Sequence, residues 1–204
     1  MVRILAPPPW ALTFTLLLLA APATAQITSE PASPYPDETQ FARGLYGEAE
    51  LGTLMFLADA REQLGFGTAL GARVGYDLMR WAAIQVHAFG STHTTHFGDA
   101  PQSGQLLQIY QGTAELKLTI RFGQLAALAF GGAGVARLST NLLGTTGLTD
   151  PEVQEGAVLL GGAGVDYHTL SRHFSFGVLA SFARYLAIHA PGAVGLSTYV
   201  RYTF

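Results

Sequence analysis

Residues 194–204 read VGLSTYVRYTF, and the residue types alternate from one position to the next. Side chains alternate between the two sides of a β-strand, so residues two apart share a face. One face is apolar or aromatic with a single polar member, and it carries Phe204, Tyr202, Val200, Thr198, Leu196 and Val194. The other face carries Thr203, Arg201, Tyr199, Ser197 and Gly195. The stretch therefore predicts a strand with one apolar side and one polar side.

Earlier segments of the chain show the same alternation. An apolar face that alternates with a polar one, repeated along a chain, is typical of a membrane β-barrel with lipid outside and a polar lumen inside. We predict an all-β fold, an eight-stranded antiparallel up-and-down transmembrane β-barrel. In 125–138 the two faces are nearly equal in polarity, so neither is assigned. The other predicted strands span 45–57, 64–78, 81–89, 105–122, 156–167, 173–186 and 194–204.

The connections between these strands alternate in length. Tight turns are predicted at 79–80, 123–124 and 171–172. Longer connections are predicted at 58–63, 90–104, 139–155 and 188–192. In outer-membrane barrels the short turns face the periplasm and the longer loops face outward. The alternation therefore predicts that both the N-terminus and the C-terminus are periplasmic.

The closing strand carries a resemblance to a known family. It ends on Phe204 and resembles the last strand of bacterial outer-membrane barrels, which serves there as an assembly signal. The resemblance implies that Val200, Tyr202 and Phe204 form the assembly signal, and that the partners include outer-membrane lipid and the barrel assembly machinery. The whole pattern is similar to small eight-stranded barrels such as the OmpA transmembrane domain and OmpX.

The N-terminal residues are typical of an exported protein. Arg3, an apolar core around residues 10–20 and the small residues Ala23 and Ala25 predict a signal peptide over 1–25. A proline-containing polar segment follows, and we interpret 26–43 as a disordered periplasmic lead-in to a barrel over 44–204. Hydrophobic residues make up 49% of the chain and charged residues 12%, yet no later apolar run reaches 18 residues. The chain has no cysteine.

Charged residues recur on the predicted inward faces. Both signs are present, which favours a lumen filled by paired charges over a pore lined by one sign. An eight-stranded barrel is just wide enough for side chains to fill, and buried charges need partners. The predicted lumen charge network consists of Glu48, Glu50, Arg73, Asp77, Glu115, Lys117, Arg121, Asp166 and Arg201.

Two other motifs resemble binding sites. The glycine-rich runs at 131–134 and 161–164 lack the third glycine and the following helix of a dinucleotide loop, so a bend or a smooth docking face is favoured. His93, His96 and Asp99 have metal-ligand chemistry, but nothing in their spacing fixes a geometry. We predict no metal and no cofactor. The formal net charge of −3 without a basic stripe argues against nucleic acid as a partner.

His173 and Ser175 raise the question of catalysis. Some eight-stranded outer-membrane barrels modify lipid A with a His, a Ser and a carboxylate. Here the pair is predicted at the periplasmic end, away from lipid A, and no acid follows it in the sequence. We therefore predict no catalytic residue. The favoured function is a structural or interaction scaffold, displaying surface loops or docking an envelope or motility partner. The alternatives are a lipid A-modifying enzyme and, third, a narrow channel.

Overall fold

The computed structural model describes residues 44–97, 103–147, 150, 152–169, 173–186 and 192–204. The predicted signal peptide and lead-in lie outside these residues. A one-turn helix, α1, spans Asp59–Gln63, and a 3₁₀ helix spans Leu143–Thr146. The strands are β1 Leu45–Phe56, β2 Gly67–Asp77, β3 Ala82–Thr94, β4 Leu106–Phe122, β5 Leu125–Leu138, β6 Glu155–His168, β7 Phe174–Tyr185 and β8 Ala193–Thr203.

The eight strands close into a single antiparallel barrel in chain order. Each strand pairs with its sequence neighbour, and β1 pairs with β8 from Tyr46 opposite Thr203 to Phe56 opposite Ala193. Closure leaves no strand edge without a partner, which a sheet inside a membrane requires. The predicted fold class is confirmed. Among the described residues, no helix is long and apolar enough to cross a membrane.

The two ends of the barrel differ. At one end lie the start of β1, the end of β8 and the short turns after β2 and β4, the second of which uses Gly123 at a φ of 63°. We call this the terminus end. The other end, which we call the loop end, carries the longer connections at 57–66, 95–105, 139–154 and 186–192. The predicted turn at 171–172 lies outside the described residues.

Exposure alternates along every strand, as the period of a pleated strand dictates. The exposed faces carry large apolar side chains such as Leu70, Val86, Ile120 and Leu196, which form the lipid-facing surface. The predicted inward and outward faces of β1, β4, β6, β7 and β8 are confirmed. The structure also shows which face of β5 points inward and which points outward. Its inward face is apolar and carries Ala126, Leu128, Phe130 and Leu138, with glycines between them.

Two predicted boundaries are wrong at the loop end. The long connection predicted at 90–104 starts too early, because β3 continues to Thr94 and pairs with β4 as far as Leu106. The strand predicted from residue 64 starts at Gly67, because α1 occupies the preceding residues and turns Leu64 into the barrel. Leu64 is buried and not lipid-facing. In the first place a local loop signal competed with pairing that only the closed sheet shows, and in the second the alternating pattern extended into a connection.

Candidate functional site

A buried group of charged side chains crosses the middle of the lumen between β1 and β4. The Arg73 guanidinium contacts Glu50, and its Nε lies 3.5 Å from Oε2 of Glu115. His87 Nδ1 lies 3.0 Å from Oε1 of Glu115, and His87 Nε2 lies 3.3 Å from Oε2 of Glu50. Only the Nδ1 contact is a hydrogen bond, and Nε2 has no hydrogen-bond partner in the described part of the chain. The two carboxylates therefore face one guanidinium and one imidazole.

A second buried group surrounds the ring of Tyr46, nearer the terminus end. Lys117 donates to Oε1 of Glu48 at 2.6 Å, and its Nζ lies 4.4 Å from the Tyr46 ring centroid. Arg201 contacts Asp77, and its guanidinium carbon lies 3.6 Å from the same centroid. An aromatic face attracts cations through its quadrupole. Each cation therefore has both a carboxylate and an aromatic partner.

Uncharged side chains join the two groups. The Tyr46 hydroxyl donates to Oε1 of Gln85 at 2.7 Å, and Gln85 Nε2 donates to Oε2 of Glu115 at 2.5 Å. The result is one continuous set of contacts across the barrel, which we call the lumen network. Its members are Tyr46, Glu48, Glu50, Arg73, Asp77, Gln85, His87, Glu115, Lys117 and Arg201.

The remaining two predicted lumen charges lie toward the terminus end. Asp166 on β6 is buried, and its Oδ2 lies 3.4 Å from Nε2 of His168. Arg121 on β4 is half-buried. The predicted set has five acids and four bases, and the structure adds the imidazole of His87 to it. Sequence reasoning placed His87 inward but did not count it as a charge, because its partners on other strands were unknown.

The loop end of the lumen is filled by apolar side chains, which we call the apolar cap. The capping residues include Leu64 beside α1 and Leu143 of the 3₁₀ helix, so the connections themselves help to close the barrel. Sequence reasoning missed the cap. Its signal was a loss of alternation at the strand ends, as at 54–57, 106–107 and 158–160. The cap residues are Leu54, Phe56, Leu64, Leu107, Ile109, Leu138, Leu143, Val158 and Tyr185.

The two histidines with metal-ligand chemistry differ in burial, because His96 is exposed and His93 is not. His93 is fully buried on β3, its Nδ1 donates to the Gly65 carbonyl at 3.0 Å, and its Nε2 lies 3.1 Å from Ser91 Oγ. These contacts anchor the segment after α1 to β3. Asp99 lies outside the described residues. Within the described ranges, no group of three or more His, Asp or Glu side chains is arranged to hold a metal.

The two residues with catalytic chemistry, His173 and Ser175, are not hydrogen-bonded to each other. His173 precedes β7 at the terminus end, and its Nδ1 donates to the Thr203 carbonyl at 2.7 Å. Ser175 is buried on the lumen side of β7, opposite His168 on β6. Ser175 Oγ has no hydrogen-bond partner in the described part of the chain. The two residues therefore do not form a nucleophile and base pair.

The predicted assembly residues lie on the outer surface of the closing strand. Val200, Tyr202 and Phe204 are all exposed, and Phe204 N donates to the carbonyl of Leu45 at 3.0 Å. The Tyr202 ring lies 4.9 Å from that of Phe174 and 5.0 Å from that of Phe204. This aromatic group sits at the terminus end, where amphipathic rings favour a membrane interface.

A closed eight-stranded sheet with an apolar outer surface and buried charged and apolar side chains in its lumen is the fold of small bacterial outer-membrane β-barrels. Solved structures share this fold. The crystal structure of Neisserial surface protein A matches with a TM-score of 0.61 and 15% identity over 80% of this chain and 99% of that chain. The outer membrane protein OprG from Pseudomonas aeruginosa matches with a TM-score of 0.50 and 14% identity over 79% and 94%. No protein-family model and no curated protein sequence matched.

Proposed function

We propose that this chain is an integral barrel of the bacterial outer membrane with a closed lumen and periplasmic termini. In this proposal it acts as a structural or interaction scaffold. The observation that supports the proposal is that two sets of buried side chains occupy the lumen, the charged lumen network and, at the loop end, the apolar cap.

The chemistry of the filling argues against a channel. Cations of the lumen network have carboxylate partners within the barrel, so no single-sign surface is left to attract a permeating ion. The apolar cap forms a hydrophobic constriction at the loop end, and such constrictions exclude water and stop conduction. A solute that crossed the barrel would have to displace side chains of both the lumen network and the apolar cap.

The geometry also supports a non-enzymatic role. His173 donates to a backbone carbonyl at the terminus end, and Ser175 is buried on the lumen side of β7. The loop end, displayed outward in the proposed orientation, is then the surface that meets partners. An envelope or motility protein is the partner class that the scaffold role implies.

Single-channel recording of the purified, refolded barrel tests the closed lumen. The wild type is expected to show no steady conductance. A variant with Phe56→Ser and Ile109→Ala, which removes bulk from the apolar cap, is the matched positive control for the assay. Reproducible open currents from the wild type would contradict the proposal.

Lipid A analysis tests the non-enzymatic role. Lipid A from cells that express the protein is expected to be unchanged.

Cysteine labelling tests the orientation, because the chain has no cysteine of its own. Thr145→Cys lies at the loop end and Arg80→Cys lies at the terminus end, and both positions are exposed. A membrane-impermeant maleimide is expected to label Thr145→Cys in intact cells and to label Arg80→Cys only after the outer membrane is opened. The reverse pattern would overturn the proposed orientation.

A further inference from the structure

Three oxygen atoms on the lumen side of β6, β7 and β8 have no hydrogen-bond partner within the described part of the chain. They are Oδ1 of Asp166, Oγ of Ser175 and the hydroxyl oxygen of Tyr199. All three residues are at most 3% exposed. A buried polar atom without a partner is costly, and native proteins seldom leave one unmatched. These atoms therefore call for a partner that the described side chains do not supply.

The strand pairing brings the three side chains together. Asp166 stands opposite Gly177, and Gly177 stands opposite Tyr199, so these residues form one inward row of the sheet. A Cβ at Gly177 would overlap the ring of Tyr199, so the ring crosses β7 in the direction of β6. Ser175 is the next inward residue of β7 toward the terminus end. Both hydroxyl groups neighbour the Asp166 carboxyl group. We call these three residues the oxygen cluster.

Asp166 differs from the other acids of the predicted lumen charge network. Each of the other four has a lysine or an arginine in ion-pair contact. In the described ranges, the basic group in contact with Asp166 is the imidazole of His168, whose Nε2 lies 3.4 Å from Oδ2. A buried carboxylate needs a partner of opposite charge. The Oδ1 side of Asp166 is therefore where a positive charge is expected.

The chemistry of the oxygen cluster indicates which cation suits it. Oxygen ligands alone are the set that hard cations prefer. A carboxylate oxygen and a hydroxyl oxygen both have lone pairs to offer. Calcium takes about 6–8 oxygens that commonly include several carboxylates, so a lone carboxylate does not suit it. A single carboxylate with two hydroxyls matches one positive charge.

The oxygen cluster lies close to the terminus end of the barrel. Asp166 is two residues before the end of β6 at His168, which is about 7 Å along a strand. Arg121 on β4 is half-buried and stands in the same row as Asp166, with the small Ala126 of β5 between them. Side chains nearly fill a barrel of eight strands, so only a small ion fits there.

We propose that Asp166, Ser175 and Tyr199 bind a small monovalent cation in the lumen. Asp166 supplies the negative charge, and the two hydroxyl oxygens are the other protein ligands. The cation partners all three oxygens and does for Asp166 what a lysine or an arginine does for the other lumen acids. The proposal does not depend on which end of the barrel faces the periplasm.

Urea unfolding of the refolded barrel in a zwitterionic detergent tests the proposal, with sodium chloride as the probe. Choline chloride keeps the ionic strength constant, because choline is too large for the lumen. A ligand of the folded state multiplies the ratio of folded to unfolded protein by one plus its free concentration divided by its Kd. Above the Kd, this ratio should therefore rise about tenfold for each tenfold rise in sodium. Potassium and ammonium chlorides identify which monovalent ion binds best.

Four variants separate a cation site from a merely structural role. Asp166→Asn should abolish the sodium effect. Tyr199→Phe and Ser175→Ala should each raise the Kd for sodium by about tenfold, since a contact to a charged group is worth about that factor. Arg121→Gln removes a positive charge from the same row and should lower the Kd for sodium. A structural role of these residues would not produce this gain.

Tyr185→Phe is the matched control for the loss of a buried hydroxyl. Tyr185 lies in the apolar cap, and its hydroxyl donates to Oε1 of Gln111 at 2.9 Å. The variant should lower stability and leave the sodium effect unchanged. Heat-modifiable gel mobility verifies that every variant folds. Where Asp166→Asn does not fold, sodium NMR relaxation of the wild type, Tyr199→Phe and Ser175→Ala decides, with bound sodium expected in the wild type and reduced in the two variants.

Stability that does not respond to sodium, potassium or ammonium would show that water or a proton on Asp166 satisfies the oxygen cluster, and would overturn the proposal. An equal response to choline, or a sodium effect that survives Asp166→Asn, would also overturn it. A larger saturable effect of calcium or magnesium chloride would contradict the monovalent assignment. The assay needs neither a closed lumen nor a membrane, so its outcome is independent of the conductance and labelling tests.

Discussion

Replacing Arg73 by Ala is expected to destabilise the barrel by about 3–5 kcal/mol. The Arg73 side chain is 2% exposed and contacts the carboxylates of Glu50 and Glu115, whose side chains are 5% and 0% exposed. Without the guanidinium, the imidazole of His87 is the one basic group of this cluster that still neighbours the two buried carboxylates. The cost is that of an uncompensated buried charge, to which the lost packing of a large side chain against Phe130 adds.

Urea unfolding of the refolded protein in detergent measures this loss. Trp81 is the only tryptophan that remains once the predicted signal peptide is removed, and it reports unfolding from the terminus end. The free energy of unfolding falls linearly with urea, so the midpoint shift at constant slope gives the difference. Arg137→Ala is the matched control. Its ion pair with Glu155 is exposed, so its removal is expected to cost at most about 1 kcal/mol.

A double variant separates the charge effect from the packing effect. Glu50→Gln removes one of the stranded carboxylates, so Arg73→Ala with Glu50→Gln should be more stable than Arg73→Ala alone. Stability of Arg73→Ala within 1 kcal/mol of the wild type would refute the reasoning and show that water reaches the lumen network.

Three further predictions follow from other parts of the chain. A Cβ at Gly134 would overlap the carbonyl oxygen of Gly112 across the sheet, so Gly134→Ala should lower stability by about 1–3 kcal/mol in the same urea assay, whereas Gly131→Ala should be neutral. Deleting Phe204 should lower outer-membrane levels of the folded, heat-modifiable protein; normal levels would contradict its role in assembly. Intact-mass measurement of the envelope form should place the mature N-terminus at Gln26, and retention of residues 1–25 would exclude cleavage there.

The sequence alone determined the fold class and the two faces of most strands. The physical reason is that lipid favours apolar side chains and the lumen favours polar ones. Because side chains alternate between the two faces of a strand, apolar and polar residues alternate along the sequence. In β4, for example, Glu115 and Lys117 alternate with apolar residues, and both point inward in the barrel. The closing strand, which ends in Phe204, shows the same alternation of residue types and of burial.

Where lipid and lumen favour similar residue types, the sequence did not distinguish the inward face of a strand from the outward face. The two faces of β5 contain alanine, leucine and glycine, because β5 faces lipid on one side and the apolar part of the lumen on the other. The apolar cap was missed for the same reason. At the loop end, inward side chains such as Ile109 are as apolar as the lipid-facing ones, so period-two alternation disappears.

Only the tertiary structure decided which charges meet. Lys117 and its partner Glu48 are 69 positions apart, and Arg201 and Asp77 are 124 positions apart. Their contacts depend on the register of every intervening strand pair and on the closure of β1 against β8. A shift of one residue in the register of a strand pair would turn one of these side chains toward lipid. The contacts across the lumen are therefore determined by the closed barrel and cannot be predicted from any one segment of the chain.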